Sequence, residues 1–190
     1  MRQILNWHDD PVLSHTDDPH VICSQTWRAN FARLAAAGLS FDLQVFAGQL
    51  RDAARLAADY PDVRIILDHA GMPIHRDAAA LVQWRDDLAL LARCENVTCK
   101  ISALGTLDHR WSVASLRPLV EGVIEVFGSS RSMFASNFPV DGLYSSMPML
   151  FDAFAELVVE LTPSERDDLF RRTAWETYRL PGQIPTVERP

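Results

Sequence analysis

Cysteine is scarce. Cys23, Cys94 and Cys99 are the only three in 190 residues, and no two of them stand in a Cys-x-x-Cys spacing. An odd count at irregular spacing excludes a disulfide framework and a structural zinc knuckle. A reducing, cytoplasmic compartment is the expected setting. No apolar run approaches the roughly 18 residues of a membrane span, and the opening residues lack the apolar core of a signal peptide. There is no basic block either: 18 Lys and Arg stand against 25 Asp and Glu, for a net charge of -7. Nucleic acid and membrane are therefore not expected partners. The chain also has no Gly-rich phosphate loop, no Gly-x-Ser-x-Gly elbow and no His-Glu-x-x-His pair, which disfavours a dinucleotide enzyme or a serine hydrolase.

What is there is an average globular composition, 48% hydrophobic and 23% charged, in a chain long enough for one domain with a sizeable core. Its organising stretch is Val63-Arg64-Ile65-Ile66-Leu67-Asp68-His69-Ala70-Gly71-Met72-Pro73. Branched apolar residues give the composition of a strand buried on both faces. The strand runs straight into Asp68 and His69 and breaks at Gly71 and Pro73. A titratable imidazole thus sits at the carboxyl end of a buried strand, where α/β folds place ligands. Taken alone, His69 has an equally good structural reading as a residue that packs at the strand end.

The same pattern recurs along the chain. Strands are expected at Gln3–Trp7, Leu39–Phe46, Asn96–Ser102 and Ser132–Asn137. Between them fall helices: one from Thr26 to a stop at Gly38, then Leu50–Tyr60, Asp77–Arg93 and Val113–Phe127, the last bent or split by Pro118. Met149–Leu161 and Ser164–Tyr178 close the chain, the second opened by Thr162 as N-cap. His8–Ser24 reads as a long irregular segment. Strand alternating with helix argues for a parallel sheet with helical crossovers, one domain over residues 1–180 and a tail over 181–190.

Parallel strands all end on one side, so the residues just past them converge. The converging set is Trp7 and His8, Gln44 and Phe46, Asp68 and His69, Lys100 and Ser102, Asn137 and Asp141. It holds a base, a cation, acceptors and aromatic walls, suited to polarising and hydrolysing a carbonyl compound. Lys100 has two readings, a catalytic cation or a structural ion-pair partner, because a lysine within a buried strand must find a partner. Asp141 also has two, a site carboxylate or the cap of the following helix.

Three blocks carry a resemblance: Ile65-Ile66-Leu67-Asp68-His69-Ala70-Gly71, Val97-Thr98-Cys99-Lys100-Ile101-Ser102, and Met133-Phe134-Ala135-Ser136-Asn137-Phe138-Pro139-Val140-Asp141. With the opening Arg2-Gln3-Ile4-Leu5-Asn6-Trp7-His8 and the closing Thr173–Leu180, the chain resembles the amidohydrolase-related family. Those are metal-dependent hydrolases of TIM-barrel fold that include L-fuconolactone and 2-pyrone-4,6-dicarboxylate lactonases. The resemblance implies a (β/α) barrel of TIM type. A complete barrel has eight strands in about 250 residues, so about five parallel strands with outer helices are expected here, an incomplete barrel matching the carboxyl-terminal portion. The family's first strand, with its His-x-His pair, has no counterpart.

The implied activity is hydrolysis of a lactone or other cyclic ester or amide of a small carbohydrate or carboxylate. The implied catalytic set is His69, Lys100, Asn137 and Asp141, with Arg2, Trp7, His8, Gln44 and Ser102 binding substrate. His69 falls on a family position that binds metal or substrate, so a zinc-like divalent cation is an implied cofactor, though none is firmly called for. Asn137 stands where most relatives carry an aspartate, and a carboxamide can neither take a proton near neutral pH nor anchor a metal well. Two other readings remain: an inactive truncated barrel fragment, or an open α/β domain that binds a small molecule. Open sheet edges further suggest a homo-oligomer.

Overall fold

The computed structural model describes residues 1–184, so most of the expected tail at 181–190 lies outside the described residues. Five strands form one sheet: β1 (Arg2–Ile4), β2 (Phe41–Gln44), β3 (Ile65–Leu67), β4 (Val97–Ile101) and β5 (Ser132–Phe134). Their order across the sheet is their order in sequence, and every neighbouring pair is parallel. The crossovers carry α1 (Gln25–Phe31), α2 (Arg33–Ala36), α3 (Leu50–Asp59), α4 (Ala78–Ala92) and α5 (Val113–Phe127). After β5 come α6 (Met147–Leu157), α7 (Pro163–Asp167) and α8 (Thr173–Thr177). This is the barrel-type α/β fold that the residue pattern and the resemblance imply, with β1 and β5 as sheet edges among the described residues.

Side-chain alternation divides each strand between two faces. Leu43, Ile65, Leu67, Val97, Cys99 and Ile101 point outward into the core, where they meet Leu56, Leu88, Leu91, Leu119 and Val123 of the helices. Each such leucine or isoleucine contributes about 1.5–3 kcal/mol by leaving water. The opposite, inward face carries the polar residues Arg2, Asp42, Gln44, Asp68, Lys100 and Ser102 beside Ile4, Ile66 and Met133. Helix α5 approaches α4 closely because position 122 is glycine; a methyl group there would meet Trp84 Cζ3 at 2.9 Å.

Four helical segments differ from expectation, the first being the one from Thr26 to Gly38, which is divided at Ala32 into α1 and α2. Pro118 neither splits nor ends α5, which runs unbroken over Val113–Phe127. Ser112 and Ser115 cap its start reciprocally, and buried Leu116, Leu119 and Val120 hold it to the core around the proline. The closing segment starts as its cap predicts, with Thr162 Oγ1 accepting from the Glu165 N–H, but it is not one helix. Asp168–Arg172 forms a π turn between α7 and α8. That extra residue per turn sits where Ser129 pulls on both sides: its hydroxyl donates to Asp168 at 2.9 Å, and its carbonyl accepts from Thr173 at 3.0 Å. The closing helix before it begins at Met147 under a Ser146 cap and ends at Leu157.

Candidate active site

The turns that leave the carboxyl ends of β3, β4 and β5 share one backbone feature. His69, Ala70 and Met72 after β3, Ala103 after β4 and Asn137 after β5 all have positive φ, between 41° and 60°. Each costs a residue with a Cβ roughly 1–2 kcal/mol. Such strain persists where the surroundings over-determine it, typically at functional sites. In the β3 turn Gly71 takes φ 68°, and a Cβ on it would lie 2.8 Å from the Leu50 side chain.

That turn aims the His69 imidazole along the sheet edge to the next strand. His69 Nδ1 lies 2.8 Å from Ser102 Oγ, and both residues are buried. Burial, the Lys100 cation and the Arg2 cation together lower the His69 pKa to about 4. Near neutral pH the ring is therefore neutral, able to accept or donate one proton at its far nitrogen.

Beneath it lies a charge network on the inward face. Lys100 Nζ is 2.9 Å from Asp68 Oδ1 and 3.6 Å from Asp42 Oδ1. Arg2 Nε is 3.2 Å from Asp68 Oδ2 and its terminal nitrogen 3.5 Å from Asp42. Tyr178, just past α8, donates its hydroxyl to Asp42 at 3.0 Å and lays its ring 5.3 Å from Lys100 Nζ. Burial works against the Lys100 cation, but Asp68 and Tyr178 outweigh it and hold its pKa above the ordinary lysine value. Burial pushes the Tyr178 phenol up to about 12. Of the two readings of Lys100, the ion-pair partner is the one the geometry displays.

The third group forms after β5. Asp141 is buried, and its Oδ1 accepts from Thr106 Oγ1 at 2.6 Å and from Asn137 Nδ2 at 3.1 Å. Its Oδ2 is buried without a hydrogen-bond partner among the described residues. Of the two readings of Asp141, the helix cap is excluded: Ser146 caps α6, and Asp141 sits inside the short Val140–Leu143 turn with its side chain directed at Thr106. Asp141 is near enough to His69 that its charge opposes the lowering of the imidazole pKa.

The nine expected site residues therefore divide. His69, Ser102 and Lys100 are contiguous through Asp68, with Asn137 and Asp141 beside them. Arg2 begins β1, away from the strand tips, and reaches this group only through Asp68 and Asp42. Trp7 and His8 instead line a separate cavity of about 340 Å³ walled by Phe46, Ile74 and Trp84. Gln44 faces Met72. Asp68 was expected at the strand ends but given no role, and Asp42, Thr106 and Tyr178 were not expected at the site. Strand parity could have shown Asp42 and Asp68, which share the inward face with Lys100; nothing local marks Thr106 or Tyr178.

A divalent metal finds few donors. No group of three or more His, Cys, Asp or Glu among the described residues could hold one. A catalytic zinc takes about three protein ligands, whereas Asp68 is committed to Lys100 and Arg2, which leaves His69 and Asp141. These residues by themselves do not fit the ion.

A parallel sheet with its polar groups gathered past the carboxyl ends of the strands is the arrangement of a (β/α) barrel. The chain belongs to the amidohydrolase family, whose profile matches residues 4–180. It is 42% identical over 180 residues to the uncharacterised protein y4mH of Sinorhizobium fredii, covering 95% of this chain and 60% of that one. It is 34% identical over 170 residues to an L-fucono-1,5-lactonase of Burkholderia multivorans, covering 80% of this chain and 57% of the lactonase. Among solved structures it resembles an amidohydrolase from Burkholderia multivorans with bound zinc. There the TM-score is 0.85 at 28% identity, over 95% of this chain and 64% of that one. The chain thus spans about 60% of the length of these two curated relatives. No helix among the described residues is long and apolar enough to cross a membrane.

Proposed function

We propose that the chain carries the strand-end part of a site that hydrolyses a lactone of a small carbohydrate or carboxylic acid, with a six-membered sugar lactone such as L-fucono-1,5-lactone as the test case. The observation that carries this reading is the neutral, buried imidazole of His69, fixed by Ser102 at 2.8 Å at the mouth of the sheet. In this reading Ser102 sets the tautomer and the far His69 nitrogen donates to the lactone carbonyl. Asp141, through its unpaired Oδ2, takes a proton from the water that adds to that carbonyl, helped in position by Asn137. The ring C–O bond then breaks and the released alkoxide takes that proton back from Asp141, giving the open hydroxy acid and restoring the carboxylate. Lys100 and Arg2, whose charges act directly on His69, favour negative charge developing on the carbonyl oxygen. The likeness to the lactonase supports the substrate class.

The test compares hydrolysis of L-fucono-1,5-lactone and related sugar lactones by the chain and by His69→Gln, followed as acid release. Turnover in the chain that is lost in the variant is expected. Rates equal to the buffer background in both would overturn the reading. The cavity beside Trp7 and Trp84 favours a second reading, small-molecule binding without turnover, in which a lactone binds and is recovered intact.

A further inference from the structure

Asn6 follows β1 and shares the inward parity of Arg2 and Ile4. It is 1% exposed. Its Nδ2 has one partner, the Met72 sulfur at 3.2 Å, and its Oδ1 is buried with no partner among the described residues. Gln44, on the neighbouring strand, turns its own Nε2 toward the same sulfur at 3.9 Å. A thioether is a weak acceptor. Whichever way the Asn6 carboxamide is turned, one end faces sulfur and the other faces nothing, a state native interiors rarely leave standing. Met72 is itself held in the left-handed region, at φ 41° and ψ 67°. Strained backbone therefore delivers an apolar side chain onto two buried amides at the sheet mouth, three residues beyond His69.

We propose that Asn6 and Gln44 form an oxygen-binding subsite that Met72 occupies in the ligand-free chain and yields to substrate. A hydroxyl, carbonyl or carboxylate oxygen of a small polyhydroxy acid or its lactone would accept from the amides that now face sulfur, and a hydroxyl would also donate to Asn6 Oδ1. The ligand class rests on the hydrolase reading; the subsite itself rests on Asn6, Gln44 and Met72.

The experiment titrates the full chain, labelled with ¹³C at its methionine methyls, with L-fuconate, the open acid of the test lactone. Dissociation constants are measured in parallel for Asn6→Leu and Met72→Ala. The Met72 methyl signal is expected to shift on saturation. Binding should weaken about tenfold or more in Asn6→Leu and tighten severalfold in Met72→Ala, opposite signs that a purely structural role would not give. An unmoved Met72 signal, absent binding, or weakening in both variants would overturn the proposal. Should Asn6→Leu fail to unfold cooperatively, tightening or its absence in Met72→Ala decides the matter. A shifted Met72 signal with no lactone turnover removes the hydrolase reading and keeps the subsite. Turnover with an unmoved Met72 and an unchanged KM in Asn6→Leu removes the subsite and keeps the hydrolase.

Discussion

Lys100 Nζ lies 2.9 Å from Asp68 Oδ1, and Asp68 has no solvent exposure at all. Asp68 directly follows β3 and Lys100 lies within β4, one step past the Leu67–Cys99 pairing, so the pair bridges the two strands on the inward face. Removing the cation while leaving the carboxylate strands a buried charge. Lys100→Met is expected to cost about 3 kcal/mol, near the low end for breaking a buried pair because Arg2 remains. The double variant Lys100→Met with Asp68→Leu should recover a large part of that. Urea unfolding of the two variants checks it, and equal losses would refute the coupling.

His69 makes stability depend on pH. Its imidazole takes a proton near 6.5 when unfolded but only near 4 in the fold, so protons favour the unfolded chain between those values. Its contribution is complete above about pH 6.5, declines as the pH falls, and is lost once the pH passes below 4. The difference amounts to roughly 3 kcal/mol. His69→Gln should flatten the acid slope of unfolding free energy in that window, measured by denaturant midpoints at stepped pH.

Gly122 is a packing requirement. In Gly122→Ala the new methyl presses on the Trp84 ring at 2.9 Å, whose indole N–H is tied to the Ala70 carbonyl at 2.8 Å. Overpacking of this kind costs about 1–3 kcal/mol. The gain in helix propensity, roughly 1 kcal/mol, offsets only part of it. A net fall in thermal midpoint is expected, with the Trp84 fluorescence displaced.

Asp141 is predicted to matter to turnover more than to folding. Asp141→Asn keeps an acceptor for Thr106 Oγ1 and removes the base. Lactone hydrolysis should fall by about 10²-fold or more while the unfolding midpoint moves little. A variant as active as the parent would exclude Asp141 as the proton acceptor.

Much of this was legible residue by residue. The run Val63–Leu67, closed by Gly71 and Pro73, marked a buried strand with His69 at its tip, because apolar runs and turn residues act over a few positions. The Thr162–Glu165 cap was equally local. Pro118 did not split its helix because the packing of Leu116, Leu119 and Val120 outweighs one lost backbone bond. The capping reading of Asp141 failed because its side chain answers to Thr106, 35 residues back, and not to the helix beside it.

The sequence by itself determined which segments bury apolar surface, where each ends, and therefore that all the strands present their tips on one side. Only the tertiary structure decided who meets whom there. Tyr178 reaches Asp42 across 136 residues, and Arg2 reaches Asp68 across the whole width of β2. A buried charge takes whatever partner the packed sheet brings within a few ångströms, and that choice has no local trace in the chain.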